Sequence, residues 1–273
     1  MEVIDTHKDL RNILKSSATL QVHAHWEPIA DSTFNMHKDS PVLTELFDLS
    51  PNQPVKEYRA DVFNAFLPPS TVAVGDVWEL DPNGLITFLH QFHKGASTAV
   101  YHGAEGAFAC LQAFSPDYAE VAFRIHADFT LESAAYKAWQ DENSSEDDDN
   151  KSRFVPSHFV GRLVLNLKKG TVRAFSLHLR PRNSNVIISA FGGIDMVFVP
   201  RMELLTTDET DQNGIAWDAA ITMEEAHRAL ELKFYKFSEI NWLPIDAAVT
   251  QAKATNRPIH AILVWGCLDD ESC

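Results

Sequence analysis

The sequence predicts an α+β protein whose first three-quarters is β-rich, and three observations carry that reading. Leu20 to Glu27 alternates strictly, with Leu20, Val22, Ala24 and Trp26 on one side and Gln21, His23, His25 and Glu27 on the other, the period-2 pattern of a half-buried strand. Phe159 to Leu167 and Thr171 to Leu179 flank Lys168-Lys169-Gly170, a hairpin in which the glycine supplies positive φ at the reversal. Beyond the polar run Thr207 to Gly214 the pattern turns helical, opening with Thr222 and Glu225 at capping-box spacing, where hydroxyl and carboxylate each satisfy a backbone N–H left over at a helix start.

The remaining elements follow in chain order. Asp81-Pro82-Asn83-Gly84, with Leu85, Phe88, Leu89 and Phe92 behind it, reads as a turn opening one helix. Ala107 to Leu111 reads as a strand in which Cys110 acts as a small apolar residue. Val121, Phe123, Ile125, Ala127 and Phe129 alternate with Ala122, Arg124, His126 and Asp128, a second half-buried strand. Asp141 to Ser152, centred on Glu146-Asp147-Asp148-Asp149, has nothing to bury and reads as a solvated insertion. Two acceptor patterns for glycosylation, at Asn143 and Asn150, arise there by composition. Ile187 to Phe191 and Met196 to Leu205 add strands. The division expected is a β-rich domain over 1–206, a linker over 207–221 and a second unit over 222–273.

That second unit ends in an ordered series: helical spacing from Pro244 to Thr255, a loop at Asn256-Arg257-Pro258, an apolar run from Ile259 to Gly266, an acidic turn and Cys273. Helix, loop, buried strand and cysteine make the first half of a thioredoxin-like redox site. In such a site the cysteine stands where a strand yields to a helix, whose free N–H groups favour thiolate over thiol. No partner thiol or selenol follows Cys273, and an apolar strand left as a terminal edge is an aggregation hazard. The expectation is that the chain is incomplete after Cys273.

Bulk properties restrict the function classes. The 273 residues carry 23 basic and 38 acidic side chains, a net charge of −15, which disfavours nucleic acid and anionic membrane surfaces. No basic-then-apolar N-terminus and no spanning apolar run is visible. Three cysteines are too few for a disulfide scaffold and leave at least one free.

Cys273 is the one expected catalytic residue. Cys267 reads as a core or turn thiol. His23 and His25 share a strand face without a visible third ligand, which fits a solvated face better than a metal. His90 and His93, a helical turn apart with His102 nearby, read the same way. Asp208, Asp211 and Asn213-Gly214 resemble the start of a calcium loop, but with Gly214 at the turn the closing carboxylate position falls on Ala220. No phosphate-cradling loop or nucleophile elbow is present, and no cofactor is expected.

A resemblance gives the tail its meaning. Pro244 through Ala254, Asn256, Ile259-His260, Leu263, Trp265-Gly266 and Leu268 through Cys273 resemble the selenoprotein N family just before its redox motif. Phe66-Leu67-Pro68-Pro69, Gly106 to Leu111, Phe123 to Phe129, Val199 to Leu204, Glu224-Glu225-Ala226 and Tyr235-Lys236-Phe237 resemble it in the same order. The resemblance implies that selenocysteine and glycine follow Cys273. A UGA codon read as stop would end the chain there. It further implies a thiol or selenol oxidoreductase acting on a protein thiol or a peroxide, inactive in this 273-residue form. Eukaryotic members act in redox regulation and calcium homeostasis in the endoplasmic reticulum and bear an upstream anchor and EF-hand, neither visible here. Compartment stays open between endoplasmic reticulum and, for a compact bacterial type, cytoplasm. The alternative is a non-enzymatic β-rich module for dimerisation, with a homodimer as partner, or for binding another protein.

Overall fold

The computed structural model describes residues 7–35, 50–98, 106–130, 152–182, 184–190, 193–206, 214–235, 239–240 and 242–261. Over these the chain is mixed and strand-rich, in keeping with the α+β expectation. In chain order the strands are β1 (Thr19–Trp26), β2 (Asp31–Ser32), β3 (Val55–Arg59), β4 (Val77–Glu79), β5 (Ala96–Ser97), β6 (Ala107–Phe114), β7 (Tyr118–Ile125) and β8 (Asp128–Thr130). They continue as β9 (Arg153–Pro156), β10 (Phe159–Asn166), β11 (Thr171–Leu179), β12 (Val186–Ala190), β13 (Gly193–Phe198), β14 (Met202–Thr206) and β15 (Ala219–Ala220). The α-helices are α1 (Pro82–Phe92), α2 (Met223–Phe234) and α3 (Ile245–Thr255), and a 3-10 helix spans Ala60–Phe66.

Two antiparallel sheets result. The larger runs β15-β6-β7-β10-β11-β14-β1-β3, with β4 also on β6; the smaller runs β2-β13-β12-β9-β8-β5. The β10–β11 hairpin forms as its turn chemistry requires, with Gly170 at φ 66°, and with a bulge at Val164/Leu165. Two long chain segments pass from one sheet to the other side by side. One breaks at His126-Ala127 between β7 and β8, the other at Ser157-His158 between β9 and β10, and Ile125 pairs with Phe159 just before the corner. Strands that change sheets are how a two-sheet core turns its corners.

Aromatic rings fill the inner side of the large sheet. Phe63 and Phe66 of the 3-10 helix, Phe88 of α1, Phe123 of β7 and Phe175 of β11 are all buried, with ring centroids 4.5 Å apart for Phe66–Phe123 and 5.0 Å for Phe63–Phe88. The sequence expectation of a single helix in this region missed the 3-10 helix, a short element without long helical periodicity. Gly161 on β10 is demanded by this packing: a Cβ there would sit 2.2 Å from the Ser176 carbonyl oxygen and 2.4 Å from the Phe123 ring. α1 forms as expected, its Asp81 side chain accepting from the Asn83 N–H at 3.0 Å.

Two strand expectations are corrected. Met196 to Leu205 is two strands, because Pro200 cannot donate to a ladder and the chain turns between Phe198 and Met202. The strand expected over Val121 to Phe129 breaks at His126-Ala127 into β7 and β8, and β7 is not half-buried. Both its faces are closed, since α2 lies across its outer side, with Ala226 and Leu230 packed on Cys110 and Ala122. The capping box forms, the Thr222 hydroxyl accepting from the Glu225 N–H and the Glu225 carboxylate from the Thr222 N–H at 2.8 Å. α3 also forms, ended by Asn256 in the left-handed region at φ 52°. Ile259, His260 and Ala261 are exposed and belong to no strand. The rest of that expected strand, Cys267 and Cys273 lie outside the described residues.

Candidate functional site

Every second residue of β10, β11 and β14 points away from the aromatic core, onto an outer face that α2 covers only in part. Cross-strand register sets the order of these residues. Arg124, Val160, His178, Glu203 and His25 form one row, each opposite the next. Arg162, Ser176, Leu205 and His23 form the row beside it. Directly opposite side chains on adjacent strands are near enough to interact.

Between these rows and α2 lies a groove of about 450 Å³, lined by Val160, Arg162, Ser176, His178, Glu203 and, from α2, Met223 and His227 among others. A narrower recess meets it at Val160 and His227 and is lined by Arg124, Arg180, Leu230 and Glu231. Arg162 reaches Glu120 at 3.4 Å, Arg228 holds Glu231 at 2.8 Å, and Arg201 pairs with Glu203. Burial holds the His178 imidazole below its ordinary range despite the neighbouring Glu203. Burial likewise raises the Glu120 carboxyl, against the pull of Arg162.

Behind the recess, at the corner between the sheets, sits a buried polar cluster. The Arg124 Nε–H donates to His126 Nε2 at 3.0 Å, which makes that nitrogen the acceptor of a neutral ring. A second Arg124 N–H donates to the Tyr235 hydroxyl at 3.1 Å, and the guanidinium lies over the rings of Phe234 and Tyr235 at 5.1 and 5.0 Å. Phe234 in turn sits 4.3 Å from the His126 ring. Arginine and aromatics together latch the end of α2 to β7. The His158 ring stacks at 5.7 Å on His126 and makes no hydrogen bond through either nitrogen. Burial first, then the charges of arginines that include Arg124, Arg180 and Arg182, keep His158 well below the usual histidine range.

The expected site residues fall in different places. Cys110 is buried in β6 among Ala122, Ala226 and Leu230, and burial with the Asp76 charge pushes its thiol up to about 11. A thiol so placed stays protonated and inert at neutral pH. His25 is exposed and His23 half-buried on β1. His93 caps α1, its Nδ1 accepting from the Gly95 N–H at 3.1 Å, while His102 and Asp208 to Asn213 lie outside the described residues. Among the described residues no three His, Cys, Asp or Glu side chains are arranged to hold a metal ion. Arg124, His126 and Tyr235 were legible only as parts of family-like segments. Arg124 and Tyr235 meet across a sequence separation of 111, which no local pattern reports.

The fold and groove define a class first: a two-sheet antiparallel α+β protein with one helix docked on the outer face of its larger sheet. No family model matches the chain, and no solved structure does. Among curated proteins it is similar to Selenoprotein N of Homo sapiens and of Mus musculus, at 28% identity over 94% of this chain in both cases. Selenoprotein N of Danio rerio is 27% identical over 93%. The resemblance to the selenoprotein N family thus extends along nearly the whole chain. The chain covers 52%, 56% and 55% of these relatives, about half their length.

Proposed function

We propose that this protein serves as a thiol or selenol oxidoreductase of the selenoprotein N type, with Cys273 pairing with a selenocysteine that follows it. The observation that carries this reading is the similarity to three vertebrate Selenoprotein N chains along more than nine-tenths of this sequence. The resemblance sets helix α3 (Ile245–Thr255) ahead of the redox cysteine of a thioredoxin-like unit, and Cys273 is the residue it assigns to that cysteine. A selenol is ionised at neutral pH where most thiols are not, so the pair attacks a protein disulfide or peroxide more readily than two cysteines would. Oxidation joins the Cys273 sulfur to selenium: the thiol and selenolate together give up two electrons and one proton, which reduce the disulfide or peroxide, and a thiol reductant reverses the step. Cys110 takes no part, because its thiolate is disfavoured by burial. The 273-residue form, lacking the selenol, is redox-inactive in this proposal. Redox regulation is the role, with endoplasmic reticulum calcium homeostasis its setting in eukaryotic relatives.

The test is a pair of proteins, one ending at Cys273 and one continuing through selenocysteine and glycine as the gene encodes them. Insulin or peroxide reduction by the second alone supports the proposal. Turnover by the shorter form, or a gene without UGA after the Cys273 codon, overturns it.

A second reading has its own observation. Part of the outer face of the large sheet is left open beside α2, as a β-rich module for dimerisation or partner binding would require. Sedimentation of the whole chain distinguishes it. A homodimer supports the module; a strict monomer with no bound protein counts against it.

A further inference from the structure

We propose that the corner between the two sheets is an acid-sensitive latch: proton uptake by the buried His126 and His158 rings releases the end of α2 from β7 while the sheets stay folded. The inference is independent of redox chemistry at Cys273. It rests on one hydrogen bond whose direction is fixed and on one buried ring that makes none.

Arg124 and His126, two residues apart where β7 ends, both meet the last residues of α2. The Arg124 Nε–H donates to His126 Nε2 at 3.0 Å; the same guanidinium donates to the Tyr235 hydroxyl at 3.1 Å and lies over the Phe234 and Tyr235 rings. The ring nitrogen that accepts must carry no proton. A protonated imidazole has an N–H at both nitrogens, which sets donor against donor and cation against cation at this bond. Arg124 then has to turn away from His126. Because the guanidinium is a rigid plane, turning it withdraws the N–H from Tyr235 and the cation from both rings.

His158 couples the same proton chemistry to opening. Its ring is fully buried, stacks at 5.7 Å on His126 and makes no hydrogen bond through either nitrogen. A charged ring held there has no acceptor for its N–H groups, a costly state that water relieves only once the corner opens. Burial is the first cause that keeps it neutral. Both rings therefore take a proton more readily in the open corner than in the closed one. The latch is held above the ordinary histidine range, near 6.5, and loosens below it.

The charged and titratable groups on the elements packed round the pair are Arg124 on β7, Asp128 on β8, Arg153 on β9, Arg180 and Arg182 beyond β11, and His227, Glu231 and Tyr235 from α2 and its end. Asp128 is held by Arg153 at 2.7 Å and Glu231 by Arg228 at 2.8 Å. Phe234 and Tyr235 are half-buried, so water enters from their side. Release stops short of the middle of α2, where Ala226 and Leu230 stay packed on Cys110 and Ala122.

The experiment follows amide hydrogen exchange of the 273-residue protein by mass spectrometry between pH 7 and pH 5, each rate referred to the intrinsic rate at that pH. Exchange over Leu230 to Tyr235 should rise about tenfold per pH unit below about 6.5 for each ring that takes up a proton, with β10 and β11 unchanged. His126→Gln keeps an oxygen that accepts from Arg124 but does not titrate, and should reduce the rise at pH 5 about tenfold. His158→Phe keeps an aromatic ring in the stack and serves where His126→Gln perturbs the corner; the two together should abolish the response. Tyr235→Phe removes the acceptor of the second Arg124 bond and should raise exchange about tenfold already at pH 7. His260→Gln, at an exposed residue outside the cluster, should respond as the parent does. Equal exchange of the parent at both ends of the pH range, a rise that survives in the double variant or vanishes in His227→Gln, or a rise in β10 and β11 together with α2 would each overturn the proposal.

Discussion

Helices α2 and α3 are both readable from local signals, yet they end in opposite environments. α2 buries Ala226 and Leu230 against Cys110 and Ala122, and its end is latched by Arg124, Phe234 and Tyr235. α3 buries none of its residues. Around it Ile240, Trp242, Leu243, Ile245 and Ile259 are exposed, Ile245 at 75%, and several line a shallow apolar groove of about 520 Å³. A cap or a left-handed stop states that a helix forms. Whether it buries a face depends on a complementary surface elsewhere. For α2 that surface is the small-residue patch on β6 and β7; α3 has no counterpart among the described residues.

Substitutions can break or sharpen that contrast, and the largest effect belongs to the core that supports α2's sheet. Phe66→Ala removes a ring in contact with Phe63, Phe88, Phe123 and Phe175 and should cost about 3–5 kcal/mol in denaturant unfolding. Leu230→Ala should cost about 2–4 kcal/mol, whereas Ile245→Ala, at an exposed site, should stay within about 0.5 kcal/mol. Equal costs for the two would erase the distinction between the helices. Thr222→Ala removes the cap of α2 and should cost about 1 kcal/mol, with faster amide exchange confined to its first turn.

The corner cluster adds a pH dependence. His158 titrates lower in the folded protein than in the unfolded chain, whose histidines titrate near 6.5. As pH falls through that value the unfolded state binds the proton first, so stability present above about 6.5 is lost below it, by at most about 1.4 kcal/mol per pH unit for one group. His158→Phe should flatten the acid limb of stability measured between pH 7 and 5. An unchanged slope would show that the corner stays intact as that ring is protonated.

Legibility followed the range of the interactions. The β1 alternation, the Gly170 hairpin, the Asp81 turn and the Thr222–Glu225 box are set within a few residues, and each forms. The double burial of β7 was not legible, because it depends on a helix about a hundred residues away. The break at Pro200 could have been read from proline's missing N–H. The groove was invisible for another reason. Arg162, His178 and Glu203 each look like an ordinary polar position on the outward side of a strand, and only the order β10-β11-β14 brings them together. His23 and His25 share one face of β1, and register places His25 opposite Glu203, with His178 on the far side of that residue.

Cys110 and Cys273 make a second contrast, between a thiol silenced by burial and one assigned chemistry by resemblance. The measurement that bears most directly on the functional account is insulin reduction by the selenocysteine-containing protein, compared with its Cys273→Ser and Cys110→Ser variants. The account predicts that turnover is lost in Cys273→Ser and kept in Cys110→Ser. Turnover that survives the loss of Cys273, or disappears with Cys110, would contradict it.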